Sequence, residues 1–266
     1  MAGKMTEDLS RGFDDLQEGI KSIQKIIDQK IDDYKKATIH SLDVDLIETE
    51  EKYYLKVDVP GIEKEEIDID ILDRTNIFHI GSLSLTDEPA RATTFYAVKR
   101  AKEKGSIISY DPNYRSSLWE NEAAAKKQMR SLIPYADIIK ISDEETELLT
   151  DCAEPEKAAE SLFQKGVKIA AVTLGSDGAY IYCKEGGKKV PGFVSTAVDT
   201  NGAGDSFWGG FLYRISNAGK KPEDFSLDEL EEFTRFGNAV ASLCVEQKGA
   251  IPSMPYPEQV QKRLER

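Results

Sequence analysis

Seven residues, Asp199-Thr200-Asn201-Gly202-Ala203-Gly204-Asp205, stand at the head of the apolar run Ser206–Tyr213. Two glycines flanking one small residue let a backbone come close to a ligand, and the N–H groups of a helix start would then point at an anion. Asp205 would lie in the first turn of that helix, beside the anion. A carboxylate repels phosphate, so it needs a role there. The chemistry that fits is acceptance of a proton from a hydroxyl attacking a phosphoryl group. A glycine-rich turn that caps a buried helix would explain the glycines, but not the acid.

The spacing resembles the signature of the ribokinase-like (PfkB) carbohydrate kinases, and in detail their fructokinase branch. The resemblance runs from about Ile77 to the C-terminus. It implies ATP and magnesium, with Asp205 as general base and the amides of Gly202, Ala203 and Gly204 as an anion hole for the transferring phosphoryl group. It gives Asp199 to a monovalent cation such as potassium, although a helix-capping or turn carboxylate reads the same way; Asn201 stands where some members carry Thr. Ser142-Asp143-Glu144-Glu145 occupies the place of the family's Asn-x-x-Glu, so Glu145 would orient magnesium through water. That suits an ion which keeps much of its hydration shell. A serine N-cap followed by acidic first-turn residues describes the same spacing.

Thr173-Leu174-Gly175-Ser176-Asp177-Gly178 resembles the family's nucleotide loop, with Thr173, Gly175 and Gly178 against ATP; an ordinary hairpin turn reads the same way. Phe236-Gly237-Asn238 and Gly249-Ala250 resemble segments lining the adenine and cation sites, although Asn238 also suits a surface helix position. Asp111-Pro112-Asn113-Tyr114-Arg115 ends a strand and leads to Leu118-Trp119. Arg115 is its candidate contact to sugar or phosphate, since a guanidinium fork suits both, or a surface ion-pair partner. His40 and His79 have no partner pattern and read as structural.

The elements that must position these residues alternate. Short apolar strands are expected at Ile77–Ile80, Ile107–Tyr110, Ile138–Ile141 and Lys168–Leu174. Helices are expected at Glu88–Lys104, Glu120–Leu132, Asp143–Leu149, Pro155–Gln164, Gly204–Ser216, Leu227–Val245 and Glu258–Leu264. Gly178–Cys183 and Lys189–Phe193 read as a hairpin joined through Gly186-Gly187. Strands alternating with helices predict an α/β fold with a parallel sheet and ligands at the C-terminal strand ends. The resemblance makes this a ribokinase-like three-layer core.

The first seventy residues follow other periods. Leu9, Phe13, Leu16, Ile20, Ile23, Ile27, Ile31 and Tyr34 form one stripe of an amphipathic helix, which either packs on the body or joins another copy of the chain as a homo-oligomer. Tyr53, Leu55, Val57 and Val59 alternate with polar residues as in a half-buried strand ended by Pro60-Gly61. Asp43–Glu50 and Ile67–Ile71 also read as extended. Asp43–Ile71 resembles the opening strands of the α-crystallin domain of small heat-shock proteins, and the helix before it resembles their N-terminal arm. Two parts follow, residues 1–72 heat-shock-like and 73–266 kinase-like, with a junction within about 60–76. The N-terminal strands that supply much of the sugar pocket in the kinases have no counterpart in this segment.

Among 266 residues, 48 acidic side chains against 35 basic ones leave a net charge of −13. That disfavours nucleic acid and anionic membrane surfaces. Cys152, Cys183 and Cys244 lack metal or disulfide spacing, and the polar Met1–Ser10 is unlike a signal peptide, so a cytoplasmic protein without a membrane span is expected. The resemblance implies transfer of the ATP γ-phosphoryl to a hydroxyl of a small sugar. The contrary reading is a non-catalytic scaffold that keeps at most nucleotide binding.

Overall fold

The computed structural model describes residues 44–48, 53–57 and 70–265. The Leu9–Tyr34 stripe and His40 lie outside the described residues. Strands β1 (Val44–Glu48) and β2 (Tyr53–Val57) pair antiparallel, in register from Val44–Val57 to Glu48–Tyr53. Of the extended segment expected at Ile67–Ile71, only the end is described, and it is not a strand: Asp70–Arg74 forms a 3-10 turn.

Six further strands form the central sheet: β3 (Ile77–Ile80), β4 (Ile107–Tyr110), β5 (Ile138–Ser142), β6 (Ile169–Thr173), β7 (Ala179–Cys183) and β8 (Gly186–Val190). They lie in chain order. β3 to β6 run parallel, while β7 and β8 turn back antiparallel. Helices α1 (Ala90–Glu103), α2 (Glu122–Leu132), α3 (Thr146–Thr150) and α4 (Pro155–Gln164) fall among the parallel strands. Helices α5 (Ala203–Ala218), α6 (Leu227–Cys244) and α7 (Pro257–Leu264) follow the hairpin.

The two-residue period of the strands separates two cores. Ile139, Ile141, Ala170 and Val172 pack with Val98 and Ala101 of α1, Met129 and Leu132 of α2, and Leu162 of α4. Ile138, Ile169, Ala171 and Ile181 face the other way, onto Phe207, Trp208, Phe211 and Ile215 of α5 and Leu230 and Phe233 of α6. Helices therefore cover both faces of the sheet, as buried parallel strands require. Local signals set the helix starts. Asn121 Oδ1 accepts from Ala124 N (2.8 Å) to cap α2, and Ser226 and Glu229 form a capping box on α6.

The hairpin expected to turn at Gly186-Gly187 turns instead at Lys184-Glu185, and both glycines belong to β8, opposite Cys183 and Tyr182. Gly186, with φ 104°, relaxes the exit of the turn. Gly187 leaves room for the Tyr180 ring, whose hydroxyl occupies the space a Cβ would take.

Helix α5 is the element that sets the site. Trp208 and Phe211 stack at 5.0 Å with their planes 5° apart. Trp208 Nε1 donates to Ser109 Oγ on β4 at 2.9 Å. Both rings are buried, and each contributes about 2–3 kcal/mol to holding the helix on the sheet. Asp205 lies one turn before Trp208, so this anchor fixes where the helix begins.

Candidate active site

The N-cap of α5 is Gly202, with φ 76°. Ala250 Cβ would lie 2.7 Å from a Cβ at Gly202, so both the left-handed backbone and the neighbouring loop demand glycine. Asp199 ties the two loops together. Its Oδ1 accepts from Asn201 N (3.0 Å) and its Oδ2 from Gly249 N (2.9 Å). The Asn201 amide, then the Gly249 amide, hold the Asp199 carboxyl below the usual carboxylate range. The first-turn amides of a helix lack partners four residues back; that of Ala203 is taken by Thr200 O at 3.2 Å.

Directly against this helix start is a lysine that the motifs did not single out. Lys140 lies on β5, on the same face as Ile138, and is 6% exposed. A Cβ built at Gly204 would lie 3.0 Å from Lys140 Nζ and 3.6 Å from its Cε. Nζ donates to Asp111 Oδ2 at 2.7 Å, an ion pair in which both side chains are almost wholly buried. The other oxygen, Asp111 Oδ1, is buried without a hydrogen-bond partner. Burial alone would lower the Lys140 pKa; the nearby carboxylates of Asp111, Glu145 and Asp205 outweigh it and raise the pKa above the usual lysine value.

Glu145 completes this cluster. Its Oε1 accepts from Tyr114 N (2.6 Å), and its Oε2 accepts from Ser142 N (2.8 Å) and Ser142 Oγ (3.2 Å). Ser142 and Glu145 thus form a capping box, and Glu145 also fastens the Asp111–Arg115 loop to the end of β5. Burial, then the Asp111 charge, push its carboxyl above the usual range. Asp111 pairs with the Lys140 ammonium and the charges of Glu145 and Asp205 also act on it, an excess of negative charge that suits a cation. Among the described residues no set of three acidic or histidine side chains is arranged as a direct metal cage. The donor set therefore fits a hydrated magnesium ion held by one or two carboxylates: Asp111 Oδ1 is the unpartnered acceptor, and Glu145 would share an oxygen that already accepts from Tyr114 or Ser142.

The nucleotide candidates gather elsewhere. Thr173 is in register with Ser142, and its Oγ1 donates to Ile141 O at 3.4 Å. Gly175 has φ 58°. Gly178 has φ 96°, and the backbone from Val190 to Gly192 fills the space of any Cβ there, so this chain itself accounts for that glycine. Asn238 is buried rather than on a helix surface. Its Nδ2 donates to Val190 O and Pro191 O, both at 3.1 Å, which clamps the end of β8 to α6. Close packing of Gly237 on Phe207 O of α5 brings Asn238 to this position. Arg115 is exposed, and its Nη1 donates to Tyr114 O at 3.1 Å. His79 meets Ser109 Oγ at 3.0 Å, in keeping with a structural role.

Two groups of predicted residues thus converge. Asp199 and Gly202–Asp205 form one loop knot. Glu145, with the unpredicted Lys140 and with Asp111 of the expected Asp111–Arg115 stretch, forms another, and Gly204 packed on Lys140 joins them. Gly178 and Asn238 form a third knot around the end of β8. A cavity of about 280 Å³ lies beside Arg91, Trp119 and Gln128, and one of about 350 Å³ beside Arg130 and Lys165. Neither is lined by Asp205, Lys140, Asp111 or Glu145. The charged cluster is nevertheless the better candidate site, because it sits where the parallel strands end and a helix begins. No helix among the described residues is long and apolar enough to cross a membrane.

A family profile described as pfkB family carbohydrate kinase matches residues 38–257, a span that includes β1 and β2. Probable fructokinase-5 of Arabidopsis thaliana is 41% identical over 204 residues, which is 76% of this chain and 62% of that protein. The structure of aminoimidazole riboside kinase from Salmonella enterica, complexed with aminoimidazole riboside and an ATP analogue, is 31% identical. It has a TM-score of 0.64 and covers 71% of this chain and 63% of its own. Fructokinase from Xylella fastidiosa with bound ATP is 26% identical, with a TM-score of 0.73, over 86% of this chain and 75% of its own. The six-stranded mixed sheet and its helices match the ribokinase-like fold of these neighbours. The chain spans less than two thirds of the length of the curated relatives it matches.

Proposed function

The chain belongs to the pfkB family of carbohydrate kinases, and from that premise we propose that it transfers the γ-phosphoryl group of ATP to a hydroxyl of a small sugar, with Asp205 as general base. One observation carries this reading: a carboxylate in the first turn of α5 shares the end of the parallel sheet with a buried lysine packed on Gly204. The hydroxyl oxygen attacks phosphorus, its proton passes to the Asp205 carboxylate, and the bond from phosphorus to the β,γ-bridging oxygen breaks. That oxygen leaves with ADP carrying the electron pair. The amides around Gly202–Gly204 would stabilise charge on the transferring group, that of Ala203 only on leaving Thr200 O. Magnesium, held through water by Asp111 Oδ1 and Glu145, would neutralise phosphate charge. Asp199 would serve a monovalent cation beside the Gly249 loop. Thr173, Gly175 and Asn238 belong to the nucleotide side, and Arg115 to the sugar side.

Fructose and an aminoimidazole riboside are the first acceptors to test, because related proteins carry those names. The test is sugar-dependent ADP release by the chain and by Asp205→Asn. Equal turnover by the two would refute the base assignment. A second reading is a scaffold that binds ATP without transfer. In that case ATP titrates calorimetrically and no sugar elicits ADP. The heat-shock-like reading of residues 1–72 remains part of the same proposal, as a segment that promotes assembly of copies.

A further inference from the structure

The feature of this site that asks most for an explanation is a lysine inside a parallel sheet. Parallel strands are buried on both faces and are ordinarily continuous apolar runs. In β5 the run Ile138-Ile139-Lys140-Ile141 is broken by one charged residue, on the face that carries α5. A buried ion pair is no more stabilising than a well-packed apolar pair of the same shape, so stability alone does not call for it. Its position is specific. The ammonium touches the first turn of α5 at Gly204, where a Cβ would crowd it at 3.0 Å. The N-terminal end of a helix carries partial positive charge, and the ammonium adds side-chain donors to it. Asp111 Oδ2 at 2.7 Å, with the Glu145 and Asp205 carboxylates, balances the ammonium charge. Asp111 Oδ1 is buried and has no donor among the described residues, so the carboxylate keeps accepting capacity for a further group.

We propose that Lys140 is the side-chain arm of the phosphoryl site, contacting an oxygen of the ATP γ-phosphoryl group at the α5 N-terminus, and that Asp111 is the positioning residue that aims it there. This rests on the reading of the chain as an ATP-dependent kinase. An ammonium carries three donors, so a phosphoryl oxygen at Gly204 would take one that Asp111 does not. Asp111 Oδ1 would accept from a water of hydrated magnesium or from the substrate hydroxyl. Lys140 keeps its protons throughout, as its raised pKa allows. Gly204 is glycine because the ammonium must reach the helix backbone.

The test compares ATP with ADP, since only ATP has the group that Lys140 contacts. The double substitution Lys140→Met with Asp111→Asn removes both charges and avoids stranding either one. Calorimetric titration with magnesium present should show ATP bound about ten- to a hundredfold more weakly than by the unsubstituted chain. ADP should lose clearly less in the same titration, because it shares only the loss of Asp111 at magnesium and has no γ-phosphoryl group for Lys140 to contact. Unchanged ATP affinity would overturn the proposal. Equal losses for ATP and ADP would also overturn it, because they would reduce the pair to structural support. An unsubstituted chain that binds neither nucleotide would sink the kinase reading itself, a different result from either. If the double variant does not fold, Gly204→Ala, which displaces the ammonium and leaves every charge in place, must still weaken ATP selectively.

Discussion

Replacing Gly204 by alanine separates stability from function at this site. The residue lies in the first turn of α5 with no positive φ, so alanine suits the backbone and gains about 0.5–1 kcal/mol of helix propensity. The new methyl would stand 3.0 Å from Lys140 Nζ and 3.6 Å from Cε, so the side chain must yield by a few tenths of an ångström. Lys140 has little freedom to do so, since Asp111 holds Nζ at 2.7 Å and the pair is buried. Displacements well under an ångström in a positioned group cost about ten- to a hundredfold in rate, or about 1.4–2.7 kcal/mol of transition-state stabilisation. The helix gain and the strain on the crowded lysine oppose each other, so thermal unfolding should give a Tm within about 4 °C of that of the parent. Sugar-dependent kcat/KM should fall about ten- to a hundredfold. Full activity in a folded Gly204→Ala chain would refute the coupling of Gly204 to Lys140. A large loss of Tm would show that glycine is needed there for packing alone.

Further perturbations test other parts of the site. Asn238→Ala removes two buried hydrogen bonds to Val190 O and Pro191 O; the loss of about 2 kcal/mol should lower Tm by about 4–8 °C without any nucleotide. Glu145 has a folded-state pKa raised above its ordinary 4.5, so between 4.5 and that raised value the native state holds more protons than the unfolded chain. The Glu145 contribution is then fully present below 4.5 and is lost as pH rises through the folded pKa. The stability difference between the parent and Glu145→Gln should consequently fall across that window in denaturant titrations, and a flat difference would contradict the shift. Among the described residues β3 pairs only with β4, and an apolar parallel edge invites association. Deleting residues 1–69, which keeps the buried Leu72, should raise the aggregated fraction in sizing chromatography. A soluble monomeric truncation would count against a covering role for that segment.

Much of the fold was legible because its signals are local. Ile77–Ile80, Ile107–Tyr110 and Pro155–Gln164 have the expected bounds, since short apolar runs and a proline at a helix start owe little to distant contacts. The hairpin turn was misplaced because glycine signals flexibility without saying why. Gly186 relaxes the turn exit, but Gly187 is small to admit the Tyr180 ring, a tertiary demand. The same limit applied to the site. Asp199 and Gly202–Asp205 lie together in the chain and could be read as a unit. Lys140 is 64 residues from Gly204, and only the packing of α5 on β5 joins them. Its signal was present all the same, as one charge in an apolar strand. Asn238 fits a surface helix by composition, and became a buried clamp because Gly237 lets α6 approach Phe207.

The central claim is that Asp205 removes a proton from a hydroxyl at the α5 N-terminus. Sugar-dependent ADP release by the chain and by Asp205→Asn, with ATP affinity measured on the same samples, tests it most directly. Turnover should require a sugar, fall about 10²–10⁴-fold in the variant, and leave ATP affinity retained. Turnover by Asp205→Asn equal to that of the parent chain would contradict it.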